Sequence, residues 1–143
     1  MTFVLDASVA LSWLLKDASS KDARYAFGVL NALRAGDTQC LVPVTWGLEV
    51  ANVIARGESK GQVTEAQSEA FLEMLTDLAV HTDVASAGQA LSDTLQLARR
   101  YNLSAYDASY LELALRTSQP LSTLDMDLRR AAEKADVKRF EPA

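Results

Sequence analysis

The chain is poor in the side chains that most often carry nucleophilic or zinc chemistry. Its 143 residues include one cysteine and one histidine. A lone Cys40 excludes an intramolecular disulfide and suits a reducing cytoplasm. With His81 as its only companion, a Cys/His zinc site lacks ligands, and no motif around His81 marks it as a general base. No stretch approaches the roughly 18 consecutive apolar residues of a membrane span. The opening Met1-Thr2-Phe3-Val4-Leu5-Asp6 has neither a basic leader nor an export-type apolar region, so a soluble, cytoplasmic protein is the expectation. Positive charge is short as well. The formal net charge is −5, the reverse of the field that a generic nucleic-acid binder carries.

What remains is ordinary globular composition, 49% hydrophobic and 23% charged, with length for one core rather than two. Short apolar runs alternate with longer helical patterns. Thr2 to Leu5, Leu41 to Val44, Ala79 to Thr82, Leu121 to Leu124 and Val137 to Phe140 read as strands, Pro43 marking a strand end or edge. Helices are expected over Ser8 to Lys16, Lys21 to Arg34 with a stop at Gly36, and from a Thr45 cap past Arg56 to about Gly57. Further helices are expected over Glu65 to Leu78, Ala87 to Tyr101, from a Ser104 cap to Arg116, and Met126 to Ala135. The alternation predicts a single α/β domain over residues 1–143, a mostly parallel central sheet flanked by helices, with ligands gathering beyond the carboxyl ends of the strands.

Four acids stand where a folded chain should least want them. Asp6 ends one apolar run and Asp125 closely follows another, while Glu49 and Asp107 sit inside segments that read as buried helix. Singly, each has a structural reading. Asp6 and Asp125 could cap the helices that follow them, Asp107 could complement a helix macrodipole, and Glu49 could share the one wet stripe of a mostly buried helix with Asn52 and Arg56. Jointly they are harder to dismiss, because both strand-end acids and both helix acids can reach one face of the sheet. Two unit charges about 6 Å apart at an effective dielectric near 20 repel by ~3 kcal/mol. Four acids make six such pairs, which would rival a domain's whole stability of roughly 5–15 kcal/mol. Such a cluster must protonate, spread or bind cations, and all-oxygen donors favour Mg2+ or Mn2+. Neutralising four charges would also bring the net charge to −5 + 4 = −1, with Arg129, Arg130, Lys134, Lys138 and Arg139 clustered late in the chain. That basic group reads first as a solvated face. Asp127 reads as a capping or surface acid, and Trp13 and Trp46 as core or interface.

In order along the chain stand Val4-Leu5-Asp6-Ala7-Ser8, Glu49 with Asn52 three residues on, Leu103-Ser104-Ala105-Tyr106-Asp107-Ala108-Ser109-Tyr110, and Thr123-Leu124-Asp125. This set resembles a PIN-domain nuclease and is most similar to the VapC-type toxins of type II toxin–antitoxin pairs. The resemblance implies an endoribonuclease that cuts structured RNA such as tRNA or rRNA with Mg2+ or Mn2+. Asp6, Glu49, Asp107 and Asp125 would hold the metal, with Ser8 and Thr123 as hydroxyls orienting those carboxylates and Asn52 lining the cleft. It further implies a homodimer, held inactive by a small VapB-like antitoxin. Two other classes stay open. A different phosphoryl-transfer domain would want, as in haloacid-dehalogenase phosphatases, a second acid where Ser8 stands. A non-catalytic PIN-like module would use the acidic groove only to receive a basic partner tail.

Overall fold

The structure, a computed structural model, describes residues 1–15 and 20–142. Strands β1 (Thr2–Leu5), β2 (Gln39–Pro43), β3 (Val80–Asp83) and β4 (Leu121–Ser122) form one sheet in the order β3-β2-β1-β4, every neighbouring pair parallel. The intervening helices are α1 (Ala7–Leu15), α2 (Lys21–Arg34), α3 (Trp46–Ser59) and α4 (Glu65–Thr76). After β3 come α5 (Ser86–Gln89), a π-helical turn (Ala90–Thr94), α6 (Leu95–Tyr101) and α7 (Ala105–Thr117), and α8 (Met126–Lys134) follows β4. The single α/β domain is therefore as expected.

β1 lies inside the sheet and alternates its side chains between two cores, as a two-residue period requires. Phe3 and Leu5 pack with Val9, Trp13, Val29 and Val42 on one face. Val4 packs with Tyr110, Leu111, Leu121 and Leu128 on the other. Both faces of the strand are thus dry, which is why it reads as an unbroken apolar run. The helix starts are fixed by local chemistry. Thr64 and Gln67 close a reciprocal capping box, Ser104 Oγ accepts from Asp107 N at 3.1 Å, and Asp125 Oδ1 accepts from Leu128 N at 2.9 Å. Gly36, at φ +90°, takes the left-handed step after α2.

Several expectations shift. Thr45 sits at the N-cap of α3 in a helical conformation, and its buried hydroxyl makes no capping bond. β4 stops at Ser122, not Leu124, because Leu124 N is drawn out of the ladder to Ser8 Oγ at 3.0 Å. The last strand reduces to one bridge, Leu121 to Arg139, although Phe140 still stacks on Phe3 with ring centroids 3.9 Å apart. α3 is not mostly buried. Only Val50, Ile54 and Gly57 are covered, while Leu48, Ala51 and Ala55 face outward with Asn52 and Arg56. Its apolar composition overstated its burial, since alanines tolerate water. The expected end of the first helix, Lys16, lies outside the described residues.

Candidate active site

β1 has β2 on one side and β4 on the other, so the chain changes lateral direction at this strand. In open parallel sheets a crevice forms beyond the carboxyl ends of the strands at that switch point. Asp6 immediately follows β1, and Asp125 caps α8 just after β4. Asp6 is only 4% exposed. Its Oδ2 accepts from Ser8 Oγ at 2.6 Å and from Thr123 Oγ1 at 2.7 Å. The same two hydroxyls accept from the other chain segment, Ser8 Oγ from Leu124 N and Thr123 Oγ1 from Asp125 N, each at 3.0 Å. Two hydroxyls thus bind the turn after β1 to the loop after β4 and fix the Asp6 carboxylate between them.

Glu49 and Asp107 arrive on the first turns of α3 and α7. Glu49 Oε1 accepts the phenol proton of Tyr110 at 2.8 Å. Electrostatics ties the four acids into one neighbourhood. Burial pushes Asp6 up from the usual carboxylate range, opposed by Ser8 and Thr123 and reinforced by the charge of Asp125. Burial also raises Glu49, against the Tyr110 bond and with help from Asp6 and Asp107. Asp107 is pushed up to about 6, first by burial and then by Asp125, Asp6 and Asp127. No lysine or arginine pairs with any of the four among the described residues. The four acids thus meet at the switch point of the sheet with no cationic side chain to offset their charge among the described residues.

An all-carboxylate and hydroxyl donor set fits a hard divalent cation and no soft one. The side chains are not yet closed around a point. Among the described residues no group of three or more His, Cys, Asp or Glu side chains stands ready to hold an ion. Asp125 turns one oxygen back onto its own helix and Asp6 gives one to two hydroxyls. The donor chemistry fits, and a cation would have to draw the outer carboxylates inward.

The other singled-out residues separate cleanly. Asn52 lies on the exposed face of α3 and makes no hydrogen bond to the acids among the described residues. Asp127 is exposed and 3.6 Å from Arg130, a surface acid as expected, yet its charge is felt at Asp107. Trp13 is core, donating to Ala26 O at 2.8 Å, and Trp46 packs against both cores. Arg129, Lys138 and Arg139 line a cleft together with Glu133, Asp136 and Glu141, so the basic group is balanced locally. Tyr110 is the residue that sequence reasoning passed over. The available signal was a phenol three positions after Asp107, on the same helical face and amid apolar neighbours that offer it no partner.

Comparison with known proteins gives the family and the fold. The PIN domain family matches residues 3–134. Ribonuclease VapC3 of Pyrobaculum aerophilum is 29% identical over 134 residues, covering 94% of this chain and 95% of that protein. Among solved structures, PAE2754 from Pyrobaculum aerophilum superposes with a TM-score of 0.66 at 21% identity, over 92% of this chain and 79% of that one. FitAcB from Neisseria gonorrhoeae gives a TM-score of 0.61 at 20% identity, over 99% and 98%. At these identities the structural likenesses speak for the fold.

Proposed function

The chain belongs to the PIN-domain family, and on that premise we propose that it is a Mg2+- or Mn2+-dependent endoribonuclease, the toxin of a VapBC-type pair. The observation that carries this reading is the group of acids around buried Asp6, the other three half-buried, with no lysine or arginine paired to them among the described residues. Asp6, Glu49, Asp107 and Asp125 would hold the metal, and Ser8 and Thr123 would orient Asp6. Bound there, a divalent ion would supply a water acidic enough to attack near neutral pH, together with charge stabilisation at the phosphoryl oxygens.

The protein's own part is to hold donors and place charge. Two short hydroxyl bonds keep Asp6 in one rotamer. Burial and the neighbouring acids push the Asp107 carboxyl up to about 6, a penalty on its ionised form that a bound cation would relieve. No protein nucleophile is required, which agrees with a lone buried Cys40 whose thiol burial pushes up to about 12.

The partners follow from the same reading: RNA as substrate, a small VapB-like antitoxin whose basic side chain could neutralise the acids, and a second copy of the chain. The test is RNA cleavage by partner-free protein with Mn2+ and with chelator, alongside Asp6→Asn. Cleavage should need the metal and fall more than about 100-fold in the variant, since removing one carboxylate weakens both metal hold and charge placement. Wild-type protein that leaves RNA intact with either metal would sink the enzyme reading.

A further inference from the structure

Tyr110 sits where three elements meet. Its ring is fully buried in the second core, among Leu111, Leu121 and Leu128, so its hydroxyl cannot swing away. That oxygen donates to Glu49 Oε1 at 2.8 Å and accepts from Ala7 N at 3.4 Å. A phenol has one proton, and the Ala7 amide occupies its acceptor side, so the donation to Glu49 is fixed in direction. Ala7 adjoins Asp6, and Tyr110 shares α7 with Asp107. One side chain therefore links the helix of Glu49, the helix of Asp107 and the turn of Asp6. We propose that Tyr110 is a positioning residue for the metal-holding carboxylates: its hydroxyl pins one oxygen of Glu49, so that the other is presented to the cation beside Asp6.

The proposal rests on the ribonuclease reading and goes beyond its acid quartet. Without the hydroxyl, Glu49 regains freedom about its side-chain torsions, and part of the cation's binding free energy goes to ordering it again. Tyr110→Phe keeps the ring and removes only the oxygen. Partners of this kind around metal-holding side chains change metal affinity or activity by roughly 10- to 100-fold. A purely structural hydrogen bond would lower the melting temperature and leave metal affinity alone.

The experiment measures Mn2+ affinity by calorimetry, and kcat and KM on RNA, for wild type, Tyr110→Phe, Glu49→Gln and the double variant. Tyr110→Phe should weaken Mn2+ binding about tenfold and lower kcat with KM for RNA held, and it should add little in the Glu49→Gln background. In wild-type protein carrying ring-13C tyrosine, Mg2+ should move the Tyr110 resonance saturably. A folded Tyr110→Phe with wild-type Mn2+ affinity and kcat overturns the proposal while leaving the ribonuclease reading intact. Should that variant fail to fold, a Tyr110 resonance indifferent to saturating Mg2+ in the wild type overturns it instead. A wild type that neither binds Mn2+ nor cleaves RNA ends the ribonuclease reading, and the proposal with it.

Discussion

Two groups of acids, each built around one buried carboxylate, lie in this molecule, and their surroundings differ in one respect. At the outer edge of the sheet, Glu112 of α7 is 3% exposed yet faces Arg116 one turn on, with contacts of 2.7 and 3.0 Å. The same guanidinium reaches Asp83 at the end of β3 at 2.5 Å. Two carboxylates share one planar cation, whose five donors in a fork suit that arrangement. At the inner end of the sheet, Asp6, Glu49, Asp107 and Asp125 have hydroxyls, a phenol and backbone amides, but no guanidinium or ammonium among the described residues. Hydrogen bonds lessen the desolvation of a carboxylate without cancelling its charge. The edge group is complete within the chain. The inner one has no cationic side chain paired to it among the described residues, and on the proposed function a cation from outside would complete it.

Breaking the edge group should have the larger effect on the fold. Arg116→Met leaves buried Glu112 without its cation, and a buried acceptor stripped of its partner costs about 1–3 kcal/mol. Urea unfolding should show this as a lower midpoint, with Mn2+ affinity at the inner acids unchanged. A drop in Mn2+ affinity equal to that of an inner-acid variant would erase the distinction between the two groups.

The inner acids should reveal themselves through pH. Asp107 has a folded value of about 6 against an ordinary 3.8, and Asp6 and Glu49 shift in the same direction. A raised carboxyl keeps its proton to higher pH in the folded state than in the unfolded one. Its contribution to stability is therefore full below the ordinary carboxylate range and is lost as pH rises through about 6. The melting temperature of metal-free protein should accordingly fall between pH 4.5 and pH 7, on the order of a few degrees, and Mg2+ should restore it above pH 6. A melting temperature that Mg2+ leaves unchanged at pH 7.5 would show that the acids have no call for a cation.

The smallest expected effect belongs to the hydroxyl scaffold. Thr123→Val removes the donor to Asp6 and the acceptor for Asp125 N while keeping the shape of the side chain. Stability should fall by about 1–2 kcal/mol, and RNA cleavage about tenfold. Unchanged cleavage with lowered stability would make Thr123 a fold residue only.

Much of this was legible because the signals are local. Strand and helix order follows from apolar period, and the caps at Ser104 and Asp125 act within one turn. Boundaries failed where a distant partner competes. Leu124 leaves β4 for Ser8, more than a hundred residues away, and no local pattern announces that bond. α3 was misjudged for a related reason: its composition is apolar throughout, and only the placement of neighbouring helices decides which stripe is covered. At the site, the acids stood out because burial is costly for them wherever they occur. Tyr110 did not, because a tyrosine among apolar residues is unremarkable until its hydroxyl is seen to meet Glu49.

The sequence by itself determined the alternation of strands and helices, the caps that start several of them, and the presence of acids at positions that demand a counter-charge. Those properties arise within a few residues of chain. The tertiary structure decided which acids are neutralised by an arginine and which meet only hydroxyls, a phenol and amides, because that depends on side chains brought together across the sheet from opposite ends of the chain. Arg116 lies one turn from Glu112 and could satisfy it locally, whereas the neighbours of Asp6 are fixed only when β1 and β4 lie side by side.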